Sequence, residues 1–133
     1  MTVEKTNYKN SMLEVLGIEF VELSPERVVA TMPVNQNSRQ PYGLLHGGAS
    51  VALAETVASE GTCQAIDRSK YYAVGMEINA NHLRGKRDGI VTAVATPIHK
   101  GRSTMVWNIQ IHDEQEKIIC MSRCTMAIVS IEK

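Results

Sequence analysis

Glu55 stands in a stretch, Gly47 to about Ile66, that is rich in Ala, Val and Ser, contains no proline and carries no strongly charged face before Glu60. At helical spacing its neighbours three and four residues away are Val51, Ala52, Ala58 and Ser59, and none of them neutralises it. Burial on an apolar helical face raises the pKa of a carboxylate and costs stability. Such a group is therefore either paired elsewhere, for instance in a salt bridge at a subunit contact, or kept for chemistry. His46-Gly47-Gly48 opens the same stretch. Two glycines admit close backbone approach, and the first N–H groups of a helix have no intrahelical acceptor. Negative charge is stabilised at such a point, including the charge that develops on a thioester carbonyl oxygen under attack, although a tight turn accounts for the glycine pair equally well.

The element that must carry these groups is a helix of small residues, about 30 Å long at ~1.5 Å per residue, enough to cross a small domain. Around it the chain reads as strands. Residues 6–16 are expected to form a short amphipathic helix, with Met12, Leu13 and Leu16 at helical spacing and Gly17 as a stop. Ile18–Leu23 and Arg27–Pro33 read as two strands of a hairpin turned by Ser24-Pro25-Glu26. After the polar loop Asp67–Lys70 come Tyr71–Leu83, Ile90–Ile98, Ser103–His112 and Lys117–Ser130, with Asp113–Glu116 connecting the last two. In the third of these, Met105, Trp107, Ile109 and Ile111 alternate with Thr104, Asn108, Gln110 and His112, the period of a sheet with one apolar face. The expected fold is α+β, an antiparallel sheet wrapped around one long central helix, in a single domain over residues 1–133.

Composition narrows the function. The 133 residues are 44% hydrophobic and carry 14 basic and 14 acidic side chains, so no overall field draws nucleic acid or an anionic membrane. The N-terminus lacks the basic-then-apolar order of a signal peptide and no run approaches a membrane span, which points to the cytoplasm. Cys63, Cys120 and Cys124 lack the spacing of zinc or redox pairs and read as small hydrophobes. His46, His82, His99 and His112 have no metal-ligand spacing. There is no Gly-x-Ser-x-Gly elbow and no glycine-rich nucleotide loop, so no metal and no cofactor is expected. Arg84 and Arg102 could engage phosphate in fork geometry, with backbone N–H groups around Gly101 taking another oxygen; Lys86, Arg87, Lys100 and Arg102 could equally be solvated turn residues.

Gln40-Pro-Tyr-Gly-Leu-Leu-His-Gly-Gly-Ala-Ser-Val-Ala-Leu-Ala-Glu55 resembles the signature of hotdog-fold acyl-CoA thioesterases, in the branch of the phenylacetate-pathway, hydroxybenzoyl-CoA and dihydroxynaphthoyl-CoA enzymes. The resemblance continues through Val74–Arg84 and Pro97–Ser103 and covers nearly the whole chain from residue 18. It implies that Glu55 is the catalytic carboxylate, as nucleophile or as general base on water. It further implies that Gly47 supplies the oxyanion donor, that Gln40 lies beside the thioester, and that His46 and Ser59 complete the polar shell. For coenzyme A it points to Gly75, His82, Arg84 and the turn His99, Lys100, Gly101, Arg102 and Ser103. It implies a homodimer with sheets paired edge to edge, assembling to a homotetramer, in which Gln40 and Gly47 of one subunit face Glu55 of the other. The expected reaction is hydrolysis of an acyl-CoA, aromatic or medium- to long-chain. A hotdog hydratase or dehydratase and a noncatalytic acyl-CoA-binding module are the alternatives.

Overall fold

The computed structural model describes residues 8–132. Its elements follow in the order α1 (Met12–Leu16), β1 (Glu19–Leu23), β2 (Val28–Pro33), α2 (Gly47–Ala65), β3 (Tyr71–His82), β4 (Ile90–Lys100), β5 (Thr104–His112) and β6 (Ile118–Ser130). The strands form one antiparallel sheet in the order β1-β2-β4-β5-β6-β3, and α2 packs against all six. This is the α+β hotdog arrangement the sequence leads one to expect.

The period-two pattern of β5 is realised in full, with Met105, Trp107, Ile109 and Ile111 buried against the helix and the residues between them half-buried on the other face. Against them α2 sets Leu53, Ala54, Val57, Ala58, Gly61 and Thr62, one face of the helix. Small side chains let helix and sheet approach closely. A Cβ on Gly61 would lie 2.5 Å from the Trp107 ring. The indole N–H donates to Thr62 Oγ1 at 2.9 Å, and that hydroxyl donates to the Ala58 carbonyl at 2.9 Å, so the buried polar atoms of the contact are all satisfied. Cys120 and Cys124 are buried as small hydrophobes and Cys63 is half-buried, all three as free thiols.

Two expectations change. The helix expected over residues 6–16 is confined, within the described residues, to Met12–Leu16; residues 6 and 7 lie outside them. Asn10 adopts a left-handed backbone (φ 59), which a helix cannot pass through, and the chain turns before Ser11. The second change concerns α2, whose charged side is open rather than buried: Glu55 is exposed, because the sheet of its own chain covers only the face described above.

β3 is the edge strand opposite β1, twelve residues long, and carries exposed Tyr71, Tyr72, Val74 and Met76. No described helix is long and apolar enough to cross a membrane.

Candidate active site

The head of α2 is prepared by the loop before it. Arg39 and Leu45 bridge, Gln40 N–H donates to the Leu44 carbonyl at 2.7 Å, and Gly43 takes the left-handed φ of 88° that closes the turn. Gln40 Oε1 accepts from the Tyr42 N–H, which holds the side chain and leaves its amide nitrogen to donate elsewhere. The loop hangs on the segment after β3: Leu45 N–H donates to the Lys86 carbonyl at 2.7 Å, and Arg39 Nε–H to the Arg87 carbonyl at 2.9 Å.

His46 is the N-cap of α2. Its own N–H donates to the Ser38 carbonyl at 2.8 Å, its Nδ1 accepts from the Gly48 N–H at 2.8 Å, and its carbonyl accepts from Ala49 and Ser50. With Nδ1 an acceptor, the neutral ring carries its proton on Nε2. These bonds occupy the helix's first donors except one. Among the described residues the Gly47 N–H has no acceptor, as its place in the first turn dictates. Beside it, the ring of His82 closes in from the end of β3: a Cβ on Gly47 would stand 2.8 Å from His82 Nε2.

Gln40, Gly47, Ser50, His82 and Arg84 line one cleft of about 360 Å³. Glu55 does not belong to it. About 12 Å further along the helix, at ~1.5 Å per residue, it lines a second cleft of about 420 Å³ with Val51, Ala52, Thr56, Ser59 and Glu60 on α2 and Met12 and Leu13 on α1. Ala58, one of Glu55's neighbours at helical spacing, faces the sheet instead, fully buried. The carboxylate of Glu55 lies over Gly75 of β3, where an added Cβ would be 2.9 Å from Oε2. At this point the β3–β6 register shifts between Gly75 and Glu77, a bulge that bends the strand beside the carboxylate.

The coenzyme A candidates divide. Gly75 sits under the Glu55 carboxylate, and His82, against the helix head, lines the cleft of Gly47. Arg84 is opposite Ile119, whereas the turn His99–Ser103 meets β6 at Ile128, which donates to the Ser103 carbonyl. About 30 Å of strand separates these groups at ~3.3 Å per residue. Within the turn, the Gly101 N–H is already committed to the Thr104 carbonyl at 2.8 Å and is not free for a phosphate oxygen, a further correction forced by the tightness of the β4–β5 turn. Lys86 is more than a solvated turn residue, since it pairs with Glu114. Sequence reading missed the pairings of Gly75 with Glu55 and of His82 with Gly47. The one available signal was the glycine at 75 inside a β-rich segment, which marks close approach by another group.

Among the described residues no cluster of His, Cys, Asp and Glu could hold a metal ion. The arrangement offers a carboxylate in an open cleft and, separately, an unoccupied helix N-terminal donor flanked by an amide and an imidazole. Together these are the requirements of acyl transfer. Residues 42–120 match the family model described as the thioesterase superfamily. The Bacillus subtilis protein ComA2, which carries the provisional name of an esterase, is 56% identical over 91% of this chain and 96% of its own. The 1,4-dihydroxy-2-naphthoyl-CoA hydrolase of Listeria monocytogenes is 49% identical over 86% of this chain and 93% of its own. The crystal structure of a mutant thioesterase from Pseudomonas aeruginosa superimposes with a TM-score of 0.91 at 50% identity, covering 93% of this chain and 89% of that one. The chain belongs to the thioesterase superfamily. It is a thioester hydrolase.

Proposed function

We propose that the protein hydrolyses an acyl-CoA to the free acid and coenzyme A in a site completed by two subunits, with Glu55 as its catalytic carboxylate. The observation that carries this reading is the division of the machinery. One chain holds Glu55 and Ser59 in one cleft and Gln40, Gly47 and His82 in another, too far apart along α2 to act on one carbonyl. Pairing of the exposed β3 edges about a two-fold axis would lay the helices side by side and bring the Glu55 cleft of each subunit to the helix head of the other.

In such a site the thioester carbonyl accepts hydrogen bonds from the Gly47 N–H and the Gln40 amide nitrogen. Glu55 takes a proton from water as the oxygen adds to the carbonyl carbon, and the C–S bond then breaks with the proton passing to the departing thiolate. Direct attack by Glu55 gives a mixed anhydride that water hydrolyses, with the same net result. His46 fixes the helix head and Ser59 lies one helical turn beyond Glu55 in the same cleft. Arg84 at one end of the sheet, and Lys100 and Arg102 at the other, supply positive charge for the coenzyme's phosphates from different subunits. The Listeria relative's substrate, an aromatic acyl-CoA, suits a cleft walled by Met12, Leu13 and Val51, as would an aliphatic chain. A cytoplasmic location and pairing of dimers into a tetramer belong to the same proposal.

Glu55→Gln should lower thiol release from acyl-CoA by two orders of magnitude or more with an unchanged circular dichroism spectrum; near-normal turnover would contradict the assignment. A hydratase would change the acyl chain without releasing thiol, and a binding module would do neither.

A further inference from the structure

The half of the site that holds the oxyanion donors rests on a segment outside the sheet. Residues 83–89 cross from β3 to β4 without strand pairing, fixed at their start by the Leu83 N–H, which donates to the Ile119 carbonyl at 2.8 Å. Three of the segment's carbonyls carry the loop that leads to α2. That of Lys86 accepts from the Leu45 N–H at 2.7 Å, that of Arg87 from Arg39 Nε–H at 2.9 Å and that of Gly89 from the Val34 N–H at 2.8 Å. Leu44 of the same loop packs on Gly85, where an added Cβ would be 3.3 Å from its Cδ2. The loop in turn fixes Gln40, whose N–H donates to the Leu44 carbonyl, and the start of α2, where the His46 N–H donates to the Ser38 carbonyl.

The segment is held by a carboxylate that lines neither cleft. Lys86 Nζ and the Ile90 N–H both donate to Glu114 of the β5–β6 loop, the second at 2.9 Å. Gly89 lets the carboxylate in, because its φ is 81° and an added Cβ would collide with Glu114 Oε2. The loop that presents Glu114 is itself locked, since Asp113 Oδ1 accepts from the Gln115 and Lys117 N–H groups at 2.8 and 2.9 Å. Without the carboxylate, Lys86 Nζ and the Ile90 N–H turn to water, and the carbonyls between them, on which the Gln40 loop hangs, are free to shift. Oxyanion donors are worth most when they are held in place before the reaction, and a displacement of about 1 Å caused far from the chemistry can cost about a hundredfold in rate. We propose that Glu114 is a positioning residue for the hydrolysis, acting through residues 86–90 on the Gly47 N–H and the Gln40 amide. This rests on the acyl-CoA hydrolase reading and adds to it a residue that touches neither substrate nor reacting atom.

The test measures kcat and KM by thiol release from benzoyl-CoA and from decanoyl-CoA, beside a thermal melt of each variant. Glu114→Ala should lower kcat by about tenfold or more on both thioesters, whose carbonyl is common, and leave both KM values within about twofold. Its melting temperature should change little, since the side chain is half exposed and such pairs add little to stability. Lys86→Ala, which keeps the Ile90 bond, should lower kcat by about threefold, and the double variant should lose no more than Glu114→Ala alone. In a Gln40→Ala background the loss from Glu114→Ala should shrink to about threefold or less, because one of the donors it positions is already gone. A role in folding alone would lower the melting temperature and leave the kcat of the folded enzyme unchanged, which would overturn the inference. So would an equal fold-loss with and without Gln40, or an unchanged kcat in Lys86→Ala, which decides the matter even if Glu114→Ala does not fold. Each of these results leaves Glu55-dependent hydrolysis standing, whereas no thiol release from either thioester by the wild type would overturn both readings.

Discussion

Gly75 lies directly under the carboxylate of Glu55. The 2.9 Å that would separate an added Cβ from Glu55 Oε2 is less than van der Waals contact, so even alanine must push the carboxylate aside. Gly75→Ala is expected to lower kcat by about tenfold or more, because a displacement of about 1 Å at a reacting group is costly, while stability changes by less than about 1 kcal/mol on this exposed strand. Steady-state kinetics beside a thermal melt checks both halves, and an unchanged kcat would show that the carboxylate has room to move. The type and spacing of Gln40, His46, Gly47, Glu55 and Ser59 were legible in the sequence. The exposure of Glu55 was not, because the periodicity of one chain records which positions are apolar and not which molecule covers them. The meeting of His82 with Gly47 was equally hidden, since it depends on where β3 ends relative to α2.

At the scale of elements, the fold was legible because each strand announces itself by alternation or β-branched content and the long helix by its small residues, so the boundaries from Ile18 onward shift by only a residue or two. The short first helix was overextended because a left-handed Asn10 is a backbone choice that hydrophobic spacing does not encode. Two contacts set the positions of these elements. Gly61→Ala should destabilise the protein by about 1–3 kcal/mol by overpacking against Trp107 and Val28, despite the better helix propensity of alanine, and a raised melting temperature would contradict the packing described. Glu114, in the β5–β6 loop, accepts from Lys86 Nζ and, at 2.9 Å, from the Ile90 N–H, steadying the segment on which the Gln40 loop hangs. The Lys86 contact, with the Ile90 N–H, lowers its carboxyl to about 2. Because the folded value is depressed, the stabilisation is complete above the ordinary value of 4.5 and is lost as the pH falls through about 2. An NMR titration should place the Glu114 carboxyl near the lower value and, in Lys86→Ala, move it back toward the upper one; a midpoint unmoved by Lys86→Ala would dismiss the pair.

For the whole molecule, three features are left unfinished within one chain. β3 leaves a twelve-residue edge with four exposed apolar side chains, α2 leaves the face bearing Glu55 uncovered, and Glu55 and Gly47 line different clefts. A long apolar edge strand pairs with another chain unless something protects it. A shared site makes activity a property of the dimer, and subunit mixing tests that most directly. Gly47→Val, which meets His82 and blocks the helix-head donor, and Glu55→Ala should each be inactive alone. After unfolding and joint refolding in equal amounts, half of the dimers would be mixed, each with one site carrying both defects and one carrying neither, so that about a quarter of wild-type activity returns. Recovery near that level is the predicted result; mixed dimers as inactive as their parents, or a fully active monomer in light scattering, would contradict the shared site.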